Sequence, residues 1–135
     1  MTPADKERLL TKFNANPLAD TSSIRQLETE SGLHLPEDYT TFLQEVDGGE
    51  GFVGDAYVIL WRVGELLEMN RAYQVAEYAP GLFLFGSDGG GEAFAFDMRS
   101  DSKTIVSIPF VGMELESARP VASNFKAFLE ELFKL

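Results

Sequence analysis

Cysteine is absent from the chain, which excludes disulfides, thiol nucleophiles and the usual Cys-rich zinc sites and leaves nothing that calls for an oxidising compartment. Histidine occurs once, as His34 between Leu33 and Leu35; no nucleophile-elbow sequence accompanies it, so a Ser-His-Asp arrangement has no support. Long hydrophobic runs are missing too. No segment approaches the ~20 apolar residues of a membrane span, and the opening Met1-Thr2-Pro3-Ala4-Asp5-Lys6-Glu7-Arg8 is charged. Neither export nor membrane insertion is expected, and a cytoplasmic location is the default. Basic residues are scarce: 11 against 22 acidic ones, a net charge of -11, which repels phosphate backbones and anionic lipid and disfavours direct nucleic-acid binding.

What is present suits one packed domain spanning residues 1–135. Hydrophobic residues make up 44% of the chain and include 11 Phe, enough for a core at a length where about 70% of the chain's surface is buried on folding. The acids are unevenly placed. Between Arg25 and Arg62 there is no Lys or Arg, while Glu28, Glu30, Glu37, Asp38, Glu45, Asp47, Glu50 and Asp55 all fall there; Arg71 to Arg99 encloses only Glu77, Asp88, Glu92 and Asp97. Such stretches either form a negative face for a basic partner or simply solubilise the surface.

The spacing predicts a first helix opened by Thr2 and Pro3, with Leu9, Leu10 and Phe13 as its apolar stripe and the segment Asn14 to Asp20 ending it. Ser23-Ile24-Arg25-Gln26 has capping-box spacing for a second helix that stops at Gly32. Pro36 opens a third, in which Tyr39, Phe42, Leu43 and Val46 recur at helical period and Gly48-Gly49 make the stop, with Glu50 to Gly54 continuing as a loop. Ala56 to Trp61 reads as a strand and Glu65 to Ala79 as a helix ended by Pro80-Gly81. Leu82 to Phe85, Glu92 to Asp97 and Lys103 to Ile108 read as strands of an antiparallel meander. A last helix from about Ser123 carries Phe125, Phe128, Leu129 and Leu132 on one face. The fold class is therefore α+β, with a central, mainly antiparallel sheet on which N-terminal helices and a C-terminal helix pack.

Leu35-Pro36-Glu37-Asp38-Tyr39 with Phe42-Leu43 and Gly48-Gly49, followed by Leu84-Phe85-Gly86-Ser87-Asp88-Gly89-Gly90-Gly91-Glu92 with Phe94-Ala95-Phe96-Asp97, resembles the SUKH superfamily in its Smi/Knr-like branch. The likeness runs from about Ile24 to Phe133, and departs at Asp47, where such sequences often have Asn before the glycine pair. The resemblance implies an α+β fold with a central sheet. It also implies a non-catalytic binding scaffold, because many bacterial members look like immunity proteins that neutralise toxins and fungal relatives are described as regulators of cell-wall assembly.

The glycines of Gly86 to Glu92 permit a phosphate cradle, but the loop offers Asp88 and Glu92 in place of the Gly-Lys-Ser/Thr ending of a P-loop, and a hairpin connection is the simpler expectation. Asp47, Glu50, Asp55, Asp88, Glu92 and Asp97 lack EF-hand spacing, so no metal and no cofactor is expected. Trp61, Tyr57, Tyr73 and Tyr78 are either interface anchors or core, with core favoured for Trp61 at the end of an apolar strand. The expected function is that of an immunity-type inhibitor presenting Glu37, Asp38, Glu45, Asp47, Glu50, Asp55, Asp88 and Glu92 to the basic cleft of a cognate toxin, a nuclease being the class whose cleft must be basic. A regulatory adaptor is the alternative, and a small-ligand domain built on the glycine loop is a third reading.

Overall fold

The computed structural model describes all residues 1–135. Its first helix, α1 (Pro3–Leu10), starts as the sequence predicts: the Thr2 hydroxyl accepts from the Asp5 amide at 3.1 Å and the Asp5 carboxylate accepts from the Thr2 amide at 3.1 Å. The helix stops at Leu10, before the expected Phe13, which lies instead in a strand, β1 (Lys12–Ala15), where it is the one buried side chain. The next helix, α2 (Thr21–Ser31), is capped by Asp20, whose carboxylate accepts from the Ser23 amide at 2.8 Å. Ser23 thus lies inside the helix and is not its cap, because the carboxylate three residues earlier takes the orphan amide and adds a favourable charge at the positive end of the helix.

After α3 (Glu37–Leu43) come two strands, β2 (Gly49–Val53) and β3 (Ala56–Leu60), where a loop and a strand were expected. The glycines that make β2 read as a loop are there because β1 lies so close: a β-carbon on Gly51, which has φ +147°, would sit 2.7 Å from the Lys12 carbonyl oxygen. The predicted helix over 65–79 is two, α4 (Val63–Ala72) and α5 (Val75–Tyr78), broken where Gln74 takes a left-handed φ of 54°. The rest is β4 (Leu82–Ser87), β5 (Glu92–Asp97), β6 (Ile105–Pro109), a 3-10 turn at Leu115–Ser117, an unpredicted strand β7 (Arg119–Ala122), and α6 (Phe125–Lys134).

All seven strands form one sheet in sequence order, each antiparallel to the next. On one face, α3 and α6 lay Tyr39, Phe42, Phe125 and Phe128 onto Phe85, Phe94 and Phe96; Phe85 and Phe96 stack with centroids 4.5 Å apart and Tyr39 meets Phe96 at 4.9 Å. The other face is only partly covered, by α4 and α5 over β4.

The sheet is weakest between β3 and β4, whose register holds for Ile59↔Ser87 and Leu60↔Gly86 alone. The Trp61 amide still reaches the Phe85 carbonyl at 3.1 Å, but β3 then turns away. Asn70 of α4 takes the vacated place: its Oδ1 accepts from the Leu84 amide at 2.8 Å, and its Nδ2 donates to the Leu84 carbonyl at 2.9 Å and the Leu66 carbonyl at 2.8 Å. A side-chain amide has the donor and acceptor of a peptide group, so one buried residue stands in for a missing strand and leaves neither group of Leu84 unpaired.

Candidate functional site

The eight carboxylates expected to face a partner fall into separate places. Glu37, Asp38 and Glu45 share a cleft of about 310 Å³ between α3 and the start of α6, with Phe42, Phe125 and Lys126 also in its walls. Within it, Asp38 has a structural task, since its Oδ2 accepts from the Phe125 amide at 2.8 Å and holds the N-terminus of α6. Glu45 approaches the Lys6 ammonium at 3.9 Å, and Glu37 is exposed and in no ion pair.

Asp47 points inward. Its Oδ1 accepts from the Val63 amide at 2.8 Å, supplying the cap that Arg62, with no side-chain oxygen, cannot give to α4, and its carbonyl accepts from Asn16 Nδ2 at 3.1 Å. It borders a second cleft, of about 680 Å³, between α2 and the start of α4.

Asp55 occupies the tight turn between β2 and β3, exposed. Asp88 and Glu92 bracket the β4–β5 hairpin, where Asp88 Oδ1 accepts from the Gly90 amide at 2.8 Å and the Glu92 amide at 3.2 Å, while the Asp88 amide donates to the Glu92 carbonyl at 3.0 Å. The glycine loop is thus a self-bonded hairpin turn. Amides that a phosphate would need are occupied by its own carboxylate.

Glu50 lies on the opposite side of the sheet from the first cleft. There β1, β2 and β3 present an uncovered face on which Lys12 neighbours Phe52 and Tyr57 in one row, and Asn14 neighbours Glu50 and Ile59 in the next. The arm of α4 carrying Arg62, Glu65 and Met69 walls this face and makes it a trough of about 670 Å³. Phe52 is 45% exposed and Tyr57 36% exposed; their rings meet edge to face, 5.3 Å apart at 77°. The Tyr57 hydroxyl donates to the Glu50 carboxylate, and that hydrogen bond pushes the phenol pKa above its ordinary value. The tip of the β4–β5 hairpin leans on the same ring: a β-carbon on Gly89, φ +80°, would sit 2.8 Å from Cδ2 of Tyr57.

Of the four aromatics named as anchors or core, Trp61 is buried, whereas Tyr57, Tyr73 and Tyr78 are exposed. Phe52, Ile59 and Met69 were not singled out from the sequence. The available signal was the alternation Glu50, Phe52 against Gly51, Val53, which the glycines disguised as loop. His34 is exposed, 3.6 Å from Glu28. Tyr39 is enclosed by Phe85, Phe96 and Phe125, its hydroxyl meets no partner, and burial pushes its pKa far up. No three His, Asp or Glu side chains are grouped to hold a metal ion, and no helix is long and apolar enough to cross a membrane.

No curated protein sequence matches the chain. The profile of the SMI1 / KNR4 family (SUKH-1) matches residues 18–131, which takes in α2 through most of α6 and every strand except β1. With that match running through six of the seven strands and most of the core, the chain belongs to the SMI1 / KNR4 family (SUKH-1).

Proposed function

We propose that this domain acts by binding another protein and not by catalysis, and that its partner is a basic toxin, of the nuclease type, which it neutralises. Membership of the family supports an immunity-type or Smi/Knr-like protein-binding role. The observation that carries the finer reading is the state of the acids. The ion pairs of the chain engage Asp5, Glu45, Asp97, Glu130 and Glu131, and His34 alone approaches Glu28. Glu37, Glu50, Asp55, Asp88 and Glu92 are in no ion pair, within a net charge of -11. A cleft that holds nucleic-acid phosphates is basic, and unpaired surface carboxylates raise the rate of encounter with it.

Affinity capture from a lysate of the source organism, at low and then high salt, tests the reading. One stoichiometric basic protein released as salt rises, whose expression arrests cells unless this chain is co-expressed, is the expected result. Several cellular partners held independently of salt would assign the adaptor role instead. Because Asp38 and Asp47 hold helix ends, the charge-reversal variant is Glu37→Lys, Glu45→Lys, Glu50→Lys, and it is expected to slow association at low salt while leaving the fold intact.

A further inference from the structure

The sheet has one face that the chain leaves open, and it carries the wrong residues for a face meant only for water. On strands buried on one side, the outward positions ordinarily take polar residues. Here the outward positions of β2 and β3 are Glu50, Phe52, Tyr57 and Ile59, and α4 adds Met69 along the wall. Exposed aromatics clustered in a concavity mark a contact surface, since Tyr and Phe supply large area at small conformational cost and dominate binding where they are central.

The charges around the trough select its occupant. Glu50 lies in the floor and Glu65 in the wall; just outside the lining, the hairpin leaning on Tyr57 carries Asp88 next to Gly89, and the turn just before β3 carries Asp55. None of these four is in an ion pair. Against them stand Lys12, beside Phe52 on the edge strand, and Arg62, whose guanidinium donates to Asn16 Oδ1 at 3.2 Å. A trough with an aromatic floor and an excess of carboxylate suits a guanidinium: its flat face stacks on the rings while its edge donates to a carboxylate, which an ammonium does less well.

We infer that the open face of β1–β3, walled by α4, is the docking surface for the protein partner, and that the docking segment places an arginine between apolar side chains over Phe52 and Tyr57 beside Glu50. The inference rests on the protein-binding reading above and adds to it where the partner sits and what chemistry it brings. It moves the centre of binding away from the cleft of Glu37, Asp38 and Glu45 on the other side of the sheet.

The test is an amide chemical-shift titration of the isotope-labelled chain with acetyl-Leu-Arg-Phe-Arg-Leu-amide, and with acetyl-Leu-Glu-Phe-Glu-Leu-amide as the reversed-charge control. The expected result is saturable shifts at Glu50, Phe52, Tyr57, Ile59 and Met69 with the arginine peptide only. Phe52→Ala, Tyr57→Ala should raise its Kd at least roughly tenfold, while Glu37→Gln, Glu45→Gln leaves it unchanged. These side chains are exposed, so both variants are expected to keep the dispersed spectrum of the folded chain. Shifts centred on Glu37 and Glu45, no saturable shift, or equal binding by the aromatic variant would overturn the inference. So would a dimer of the free chain that the aromatic variant dissolves, which gives the face to a second copy. A basic partner captured from lysate equally well by the aromatic variant would sink the trough and leave the proposed function standing. Arginine-peptide binding in the trough, with no basic partner captured, would do the reverse.

Discussion

Phe96 and Phe52 are the same residue on the same sheet with opposite fates. Phe96, on β5, is fully enclosed, stacked on Phe85 and roofed by Tyr39, whereas Phe52, on β2, is 45% exposed with Tyr57 as its one aromatic partner. The half of the sheet holding β4 and β5 is buried on both faces, and Leu82 to Phe85 accordingly reads as a continuous apolar run. The half holding β2 and β3 alternates buried with open positions. One sheet thus contains a region whose aromatics hold the fold together and a region whose aromatics stay exposed, and identity alone does not separate them. The helix overhead does.

The sharpest way to break that division is to truncate one ring on each side. Phe96→Ala is expected to cost about 3–5 kcal/mol of stability in urea denaturation, and Phe52→Ala to stay within about 0.5 kcal/mol of the parent; equal costs would erase the distinction. Next in size is the seam between the halves. Asn70→Ala leaves the amide and carbonyl of Leu84 unpaired in the interior, with an expected loss of about 2–4 kcal/mol and faster amide exchange at Leu84. Smaller again is Asp47→Ala, which removes the carboxylate that caps α4 along the trough, at about 1 kcal/mol. A calorimetric loss well beyond that would mean that Asp47 does more than cap a helix.

The smallest effect concerns acid. The Thr2 backbone and hydroxyl bonds, with Lys126 and Arg8 nearby, hold the Asp5 carboxyl down to about 2. A group depressed on folding adds stability that is present above its unfolded value, about 3.9, and is lost as pH falls through the folded value. Asp5→Asn should therefore flatten the fall in melting temperature between about pH 4 and pH 2, while Glu50→Gln on the open face leaves that limb unchanged.

Much of this division can be read from the chain, and the exceptions share a cause. Helices α3 and α6 and strands β4 and β5 declare themselves because their apolar period persists over a whole element. Strand β1 is four residues long with Phe13 alone buried, β2 is interrupted by glycines that serve its neighbour, and β7 contains Pro120, tolerated because the strand is an edge. Gln74 breaks the α4–α5 pair although glutamine favours helices. The acids were visible as a composition, but not their duties. Asp38 answers Phe125, 87 residues away, and Asp47 answers Val63, 16 residues away. Hydrogen bonds of that span leave no trace in local spacing.

The partnership of α1 and α3 with α6 sets the order in which this domain can be made. Strands β4, β5 and β6 pair with sequence neighbours and can zip as the nascent chain emerges. Tyr39 and Phe42, however, wait for Phe125, the Asp38 carboxylate waits for the same residue's amide, and Arg8 waits for Glu130. Until α6 is made, Tyr39 packs on Phe85 and Phe96 without Phe125 and Phe128, and the aromatic side of the sheet is an incomplete core that chaperones hold and proteases find. A chain interrupted before Phe125 meets quality control with its core open, so the cell is expected to remove truncated copies before any of them can occupy a partner.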